Sequence, residues 1–555
     1  MGVADIERPS LELAEANSAT FVAMLRRHAH LKPSQSAVCT ATATLTYRQL
    51  DERVDRAATA LAARGVRPGD RVALLMANCL AFIEALAGSG RLGAITVPLN
   101  HRLAEAEIRY LLADCGARVL VCDQDRLDVA LAAIAGAELP PELFVVAEGM
   151  PSSAAEAPGV VAGWEAALLV TAGPPPLTTA TVQAWEPTQP ALIMYTSGTT
   201  GRPKGAVLTY LNLLMQTLTR ARNTRQGIAD DVVLLASPLF HIAGLGALIP
   251  SLLLGHTVVL AAEGSFDPAA TLDLIEAQGV TTVFLVPTQW QALCEQADIA
   301  GRDLKLRYIS WGASPALPST LEAMAGAFPD VPMVATFGQT EMSPITCALS
   351  GEEAVRKLGS VGRPVATVDI RIVDEQMNDV GPGQVGEIVY RGPGMMSGYW
   401  NNAEATAESL HGGWFHSGDL VRSDEEGFVY VVDRKKDMII SGGENIYSAE
   451  VEDVIQSHPK VRDVAVVGVP HPVWVETPAA IIVAADPADP PTSVEIVDWV
   501  RSRLASYKKP TIVEMVDALP RNAAGKVLKR ALRERLATAD GTSDPTTTSQ
   551  EGRQA

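Results

Sequence analysis

Residues 191–205 read ALIMYTSGTTGRPKG, and the order of residue types in this stretch sets the architecture around it. Ala191, Leu192, Ile193, Met194 and Tyr195 form an apolar run long enough for one buried strand. The run breaks into Thr196, Ser197, Gly198, Thr199, Thr200, Gly201, Arg202, Pro203, Lys204 and Gly205. Small residues with accessible N–H groups, several hydroxyls and one lysine are what a loop needs to close on a polyphosphate. The P-loop pattern G-x-x-x-x-G-K-[ST] does not fit. Gly198 and Gly201 stand too close together, Lys204 precedes Gly205, and no Ser or Thr follows the lysine.

Working outward, 555 residues exceed one domain several-fold, and a hydrophobic content of 47% is ample for large cores. The net charge of −19 argues for a soluble protein and against nucleic acid as a partner. Residues 501–535 run the other way, with ten Lys or Arg against three Asp or Glu. That patch reads either as a solvated helix face or as a site that handles phosphates. Cys39, Cys79, Cys115, Cys122, Cys294 and Cys347 show no metal or C-x-x-C spacing. Apolar or small neighbours around Cys39, Cys79, Cys122 and Cys347 imply buried reduced thiols and a cytoplasmic location. The N-terminal MGVADIERPS lacks the basic and apolar regions of a signal peptide. The greasiest region, 232–260, is cut by Ser237, Pro238, His241, Pro250 and His256. Its cleanest piece, 242–254, is shorter than the roughly 20 residues of a membrane span. This leaves no transmembrane segment and only peripheral membrane contact open.

Along the chain, residues 1–18 read as a poorly ordered lead-in. Apolar spacing predicts a helix over 20–31 and, after a strand at 43–47, another with Leu50, Val54, Ala57, Ala58 and Leu61 on one face. Strands near 71–76, 94–97 and 118–122 alternate with helices near 81–92 and 104–115, the pattern of a parallel sheet covered by helices. Residues 173–187 form a Pro/Thr-rich connector into the organising loop. Beyond it, a helix at 210–222 and strands at 232–236, 306–310 and 332–336 continue the alternation. Three motifs stand at strand ends, where open α/β sheets gather their ligands. From 365 to 399 shorter strands with Gly and Pro turns (VDIRIVD, GEIVYRG) suggest a β-rich subdomain. After 433–436 come a helix at 449–456 with Ser448 as N-cap, strands at 464–469 and 479–483, and a helix at 494–504. The expected fold is α/β: a large N-terminal domain of helix-covered sheets with a β-rich subdomain, then a smaller α+β C-terminal domain. The last residues, 538–555, are polar, small and expected to be disordered.

Further motifs carry chemistry. Phe337-Gly338-Gln339-Thr340-Glu341 sets a carboxylate beside a hydroxyl at a strand end, suited to holding Mg2+ against phosphate oxygens. In Trp414-Phe415-His416-Ser417-Gly418-Asp419-Leu420 an acid follows a tight turn, where it either completes the turn or accepts ribose hydroxyls. Asp433-Arg434-Lys435-Lys436-Asp437 precedes MIISGGENI, and Leu519-Pro520-Arg521-Asn522-Ala523-Ala524-Gly525-Lys526-Val527 sets a lysine in a Gly-containing loop of the basic segment. With YTSGTTGRPKG at their head, these motifs closely resemble, in family order over about 21–536, the adenylate-forming enzymes. That superfamily includes acyl-CoA synthetases, luciferases and peptide-synthetase adenylation domains.

The resemblance implies an N-terminal AMP-binding domain at 19–433 (β-rich over 364–433), a mobile C-terminal cap domain at 434–537, and ATP, Mg2+ and coenzyme A as ligands. Residues 196–201 and Lys204 would hold phosphates, with Thr196 also catalytic. Thr340 would contact the α-phosphate, Glu341 would carry the magnesium, Phe337 would lie next to the adenine, and Thr336 and Gln339 would line the nucleotide site. Asp419 would take the ribose, Arg434 would reach the nucleotide, and Lys436 would be the hinge pivot. Gly442, Gly443 and Glu444 would line the pantetheine tunnel. Lys526 would sit between the carboxylate and the α-phosphate, offsetting their repulsion during adenylation. For the acid, Phe240-His241-Ile242-Ala243-Gly244 and Trp311-Gly312-Ala313-Ser314-Pro315 match pocket-lining segments, with His241 either a satisfied core histidine or a gate. Gly338 stands where acetate-activating relatives carry tryptophan, which implies an open tunnel; Trp311 replaces a usual Ser or Thr and would narrow or redirect it. Trp474-Val475-Glu476 departs from a common Trp-Gly-Glu. The implied activity is an ATP-dependent acid–CoA ligase. The motifs look most like bacterial fatty-acid–CoA ligases, so a medium- or long-chain acid leads. The alternatives are an aryl-acid CoA ligase, an acyl-AMP ligase that loads a carrier protein and, from another class, a non-catalytic binding protein. A homodimer is left open.

Overall fold

The computed structural model describes residues 10–137, 140–146, 160–170, 174–175, 178–196, 202–224, 230–261, 266–313, 316, 318–441, 444–472, 474–521 and 526–540. The chain divides into two compact units. One holds Met1–Arg371, Val389–Ser417 and Ser423–Tyr430; the other holds Ile372–Ile388, Gly418–Arg422 and Val431–Ala555.

In the first unit one sheet runs in the order Val160–Gly163, Glu142–Val146, Val119–Asp123, Arg71–Leu75, Ile95–Pro98, Pro190–Thr196, Lys204–Thr209. Its neighbours are parallel until the last pair, where Thr196 stands opposite Lys204 in an antiparallel hairpin. The apolar run of the organising stretch is therefore a strand, and the following strand begins already at Lys204. The helix Tyr47–Ala63 starts in a capping box: Gln49 N–H donates to Thr46 Oγ1 at 3.3 Å and Thr46 N–H to Gln49 Oε1 at 2.8 Å. It buries the apolar face read from the spacing, Leu50, Val54, Ala57, Ala58 and Leu61.

A second sheet of this unit runs Thr44–Thr46, Ser36–Cys39, Thr257–Leu260, Val232–Leu235, Thr282–Leu285, Tyr308–Gly312, Met333–Phe337, Cys347–Ser350, Ser360–Pro364. From Ser36–Cys39 to Met333–Phe337 it is parallel, so the segments after Gly312 and Phe337 leave the same edge. Val283, Leu285, Ile309 and Trp311 pack there with Trp290, Met324 and Phe328.

Two segments for which the sequence suggested no regular structure contain short helices. The lead-in contains a helix, Leu11–Asn17, whose N-cap Ser10 accepts from Leu13 N–H at 3.3 Å. The Pro/Thr connector contains Thr179–Ala184, because Thr178 caps it (Thr181 N–H to Oγ1, 3.1 Å) and the Trp185 indole donates to Gly90 O at 2.8 Å. The apolar stretch at 242–254 is the buried helix Ile242–Leu254, and among the described residues no helix is long and apolar enough to cross a membrane.

In the second unit a sheet runs Glu444–Ile446, Ile439–Ser441, Val475–Ala484, Val461–His471, with Ile512–Met515 parallel beside Val475–Ala484. The period-2 alternation of Val461–His471 splits its side chains between two cores. Val464 and Val466 join Val451, Ile455, Ile496 and Val500; Ala465 and Val467 join Leu519, Leu532 and Leu536. The helix that closes the second core is Lys529–Asp540. Ser448 is the first residue of Ser448–Gln456, not its cap, and Tyr447 holds the cap position. The Ser448 hydroxyl is committed elsewhere, to Asp433.

Candidate active site

In the first unit the end of one strand meets a buried acid. Thr196 Oγ1 donates to Glu341 Oε1 at 3.1 Å, and Tyr399 OH donates to the same oxygen at 3.0 Å. Glu341 sits in the turn Thr340–Met342 and is 7% exposed; its carbonyl accepts Met396 N–H at 2.8 Å. Lys204 lies on the neighbouring strand, its Nζ over the Tyr399 ring at 5.4 Å from the centroid. The expectation that Lys204 and Gly205 lie in the loop is corrected here, because both pair in the hairpin with Thr196 and Tyr195. Ser197, Gly198, Thr199, Thr200 and Gly201 fall outside the described residues, as does Ser314.

Thr336, Phe337, Gly338, Gln339 and Thr340 are half-buried, and Gln339 Nε2 is a buried donor with no hydrogen-bond partner among the described residues. Thr336 Oγ1 donates to Trp311 O at 3.3 Å. A side chain at Gly312 would bring Cβ within 2.5 Å of Thr336 O, so the strand end tolerates only glycine. Ala313 follows with φ 67. Gly338, with φ 150, would place a Cβ 1.8 Å from Pro344 O. Glycine is thus demanded there by the backbone, whatever acid is bound. Trp311 is buried at 4% in the sheet core. His241 caps the helix Ile242–Leu254, its Nδ1 accepting Ala243 N–H at 3.1 Å, and burial lowers its pKa, which favours the neutral ring.

In the second unit Asp419, Arg434, Lys436 and Lys526 come together. Asp419 is 3% exposed and its carboxylate pairs with Arg434 Nε. Burial lowers the pKa of Lys436, with Arg434 and Arg533 adding to the effect while Asp437 and Asp419 oppose it. Lys526 is pushed down to about 8, first by desolvation, then by Arg434 and Lys436, against Asp419 and Asp437. Its side chain nonetheless keeps an exposed face, so solvent screens part of that shift. Gly442 and Gly443 fall outside the described residues, and Glu444 opens the strand Glu444–Ile446.

The basic segment is largely spoken for inside this unit. Lys508 pairs with Glu450 at 2.6 Å, Arg521 with Asp463 at 2.6 Å, Lys529 with Glu452 at 2.7 Å and Arg533 with Asp437 at 2.8 Å. Lys529 Nζ also donates to Ser448 Oγ at 2.6 Å, and Ser448 Oγ donates to Asp433 Oδ2 at 2.9 Å. This chain of contacts ties the helix after Lys526 to the charged segment at 433–437. Motif reading missed it, together with Tyr399, because neither the register of Tyr399 nor the pairing of Lys529 leaves a trace in spacing. The Trp-Val-Glu departure has a local consequence: Val475 adopts φ 70, a region that favours glycine.

Residues 25–400 match the family model of the AMP-binding enzyme, and residues 450–526 match that of the AMP-binding enzyme C-terminal domain. The chain belongs to the AMP-binding enzyme family. This AMP-binding enzyme is 41% identical over 514 residues to a feruloyl-CoA synthase of an Amycolatopsis species, covering 92% of this chain and 98% of the relative. It is 38% identical to an indoleacetate–CoA ligase of Aromatoleum aromaticum, covering 92% and 97%. A solved o-succinylbenzoate CoA synthetase from Bacillus subtilis, in complex with its acyl-adenylate intermediate, superposes with TM-score 0.79 at 32% identity, covering 92% of this chain and 97% of that one. The adenylate-forming fold, a large N-terminal α/β domain and a smaller C-terminal one, is that of these structures. ATP and coenzyme A are the substrates of such AMP-forming ligases, and Mg2+ is typical of them. The residues present fit that metal. Magnesium takes one or two carboxylates and fills its shell with water and phosphate oxygens. Glu341 supplies one buried carboxylate, and among the described residues no group of three or more His, Cys, Asp or Glu forms a closed metal cage.

Proposed function

We propose that this AMP-binding enzyme is an acid–CoA ligase whose acid carries an aromatic ring. The observation that carries the reading is the 41% identity, along nearly the whole chain, to a feruloyl-CoA synthase; the indoleacetate and o-succinylbenzoate enzymes point the same way. These relatives favour the aryl-acid alternative over the medium- or long-chain fatty acid that the motifs alone suggested. A fatty acyl CoA synthetase also shares the fold at 32% identity, so the fold does not discriminate between acids.

In the first step the acid's carboxylate oxygen bonds to the α-phosphorus of ATP, the bond to the β-phosphate bridge breaks, and acyl-AMP and pyrophosphate result. In the second, the thiol of coenzyme A attacks the acyl carbonyl, AMP departs and the thiol proton is lost to solvent. Bound magnesium would neutralise phosphate charge, held by Glu341. Lys204 and the Thr196 hydroxyl bind and orient phosphate oxygens. Lys526 supplies the cation of the first step, where two anions must approach each other. Asp419 and Arg434 address the nucleotide.

The test is a panel of ferulate, cinnamate, benzoate and indoleacetate beside straight-chain acids from acetate to stearate, scored by AMP formation with coenzyme A. The expected result is at least one aromatic acid preferred in kcat/KM by about tenfold or more, about 1.4 kcal/mol of differential transition-state binding. A straight-chain acid preferred by that margin would refute the aromatic reading. Acyl transfer to a carrier protein but not to coenzyme A would refute the ligase reading.

A further inference from the structure

Glu341 has a second hydroxyl on it besides that of Thr196, and it comes from Tyr399. Both donors address one oxygen, Oε1, Thr196 at 3.1 Å and Tyr399 at 3.0 Å. In a carboxylate only 7% exposed, such donors replace lost hydration and fix the plane of the group. The ring of the same tyrosine carries Lys204 on its face, with Nζ 5.4 Å from the centroid. One side chain therefore touches an anion with its tip and a cation with its face. The backbone places it there independently of both. Tyr399 bridges Ala206 in antiparallel fashion, its N–H donates to Thr406 Oγ1 at 2.8 Å, and Trp400 N–H donates to Gly205 O at 2.7 Å.

We infer that Tyr399 is the positioning residue of the metal-binding carboxylate: its hydroxyl engages Glu341 Oε1 so that Oε2 is presented to Mg2+, and its ring holds Lys204 for the phosphates and away from Glu341. The inference rests on the adenylation reading above. Without the ring, a lysine and a buried carboxylate in this neighbourhood would neutralise each other, and neither would serve the nucleotide. Thr196 can exchange Glu341 for a phosphate oxygen when the nucleotide binds. Tyr399, held by its backbone, keeps the carboxylate oriented through that exchange.

Tyr399→Phe keeps the ring and removes the donor, whereas Tyr399→Leu removes both. Mn2+ binding in the presence of α,β-methylene-ATP, followed by electron paramagnetic resonance, reads the metal site without turnover. Tyr399→Phe is expected to weaken Mn2+ binding about tenfold while thiolysis of supplied acyl-AMP stays within about twofold, the size of one lost hydrogen bond to a charged acceptor. Tyr399→Leu is expected to weaken metal-free binding of the analogue as well, because Lys204 loses its platform. Unchanged Mn2+ binding in Tyr399→Phe overturns the inference, and so does equal loss of both half-reactions with Mn2+ binding intact. Failure of the adenylation reading looks different: the wild-type protein would release no pyrophosphate with any acid, and both readings would fall.

Discussion

Raising the pH should switch off the first half-reaction through one amine. Lys526 has its ammonium pushed down to about 8, by desolvation first and by the facing cations Arg434 and Lys436 next, with Asp419 and Asp437 pulling the other way. The sign is definite: a lysine with lowered pKa is charged below that value and loses its charge as pH rises through it. With a pKa of about 8, the side chain is about nine-tenths charged at pH 7 and about one-tenth charged at pH 9. If adenylation needs the cation, kcat/KM for acid-dependent pyrophosphate release should fall about tenfold over that interval. Two refinements follow from the geometry. The side chain keeps an exposed face, so added salt should screen Arg434 and Lys436 and move the descending limb to higher pH. Bound ATP favours the ammonium, so the limb in kcat should lie above the limb in kcat/KM. The assay is pyrophosphate release at saturating Mg2+, followed from about pH 6.5 to about pH 10, on wild type and Lys526→Arg. Arginine stays charged throughout, so the variant, though slower, should lose the limb. Lys526→Ala should abolish pyrophosphate release while sparing thiolysis of supplied acyl-AMP. An identical limb in Lys526→Arg, or no decline in wild type, would refute the assignment.

Val475→Gly should stabilise the second unit by about 1 kcal/mol, because a β-branched residue at φ 70 is strained by about that amount and glycine is not; a thermal melt reads it, and an unchanged or lower Tm would count against the strain. Lys529→Met should destabilise by about 2 kcal/mol in urea unfolding, since it leaves the half-buried Glu452 without its 2.7 Å partner and removes the 2.6 Å contact to Ser448. Adding Glu452→Gln should recover part of that loss, because burial already raises the Glu452 pKa and the amide carries no charge; a double variant as unstable as the single one would show that the pair is not the cause.

Much of the architecture was legible because it is written in local period. The apolar faces of Tyr47–Ala63 and the strand runs at Arg71–Leu75, Val119–Asp123 and Pro190–Thr196 follow from spacing alone. Errors fell where one distant contact decides. Thr178 and Trp185 make a helix of what composition reads as linker, and Ser448 gives its hydroxyl to Asp433 instead of capping its own helix. The site was legible to the same depth. Thr196 does meet Glu341, and Asp419, Arg434, Lys436 and Lys526 do gather, because each lies in a motif of unusual residue types. Tyr399 was not, since its approach to Glu341 depends on the bridge between Tyr399 and Ala206, a register that no spacing encodes.

Substrate choice was the least legible property, and Gly338 shows why. Read as a motif position, its missing side chain signals a tunnel open to a large acid. In the structure a Cβ there would lie 1.8 Å from Pro344 O, and φ is 150. Backbone geometry alone then demands glycine, so the residue reports on the path of its own chain and carries little information about the acid. Trp311 makes the same point from the other side: it reads as a tunnel wall, yet it is 4% exposed within the core formed with Trp290, Met324 and Phe328. His241, the suggested gate, has its Nδ1 committed to capping the helix that follows. All three positions therefore answer first to the fold and carry little information about the acid. Motif likeness is thus a weaker guide to the acid than similarity along nearly the whole chain, which favours the aromatic acid of the proposed function.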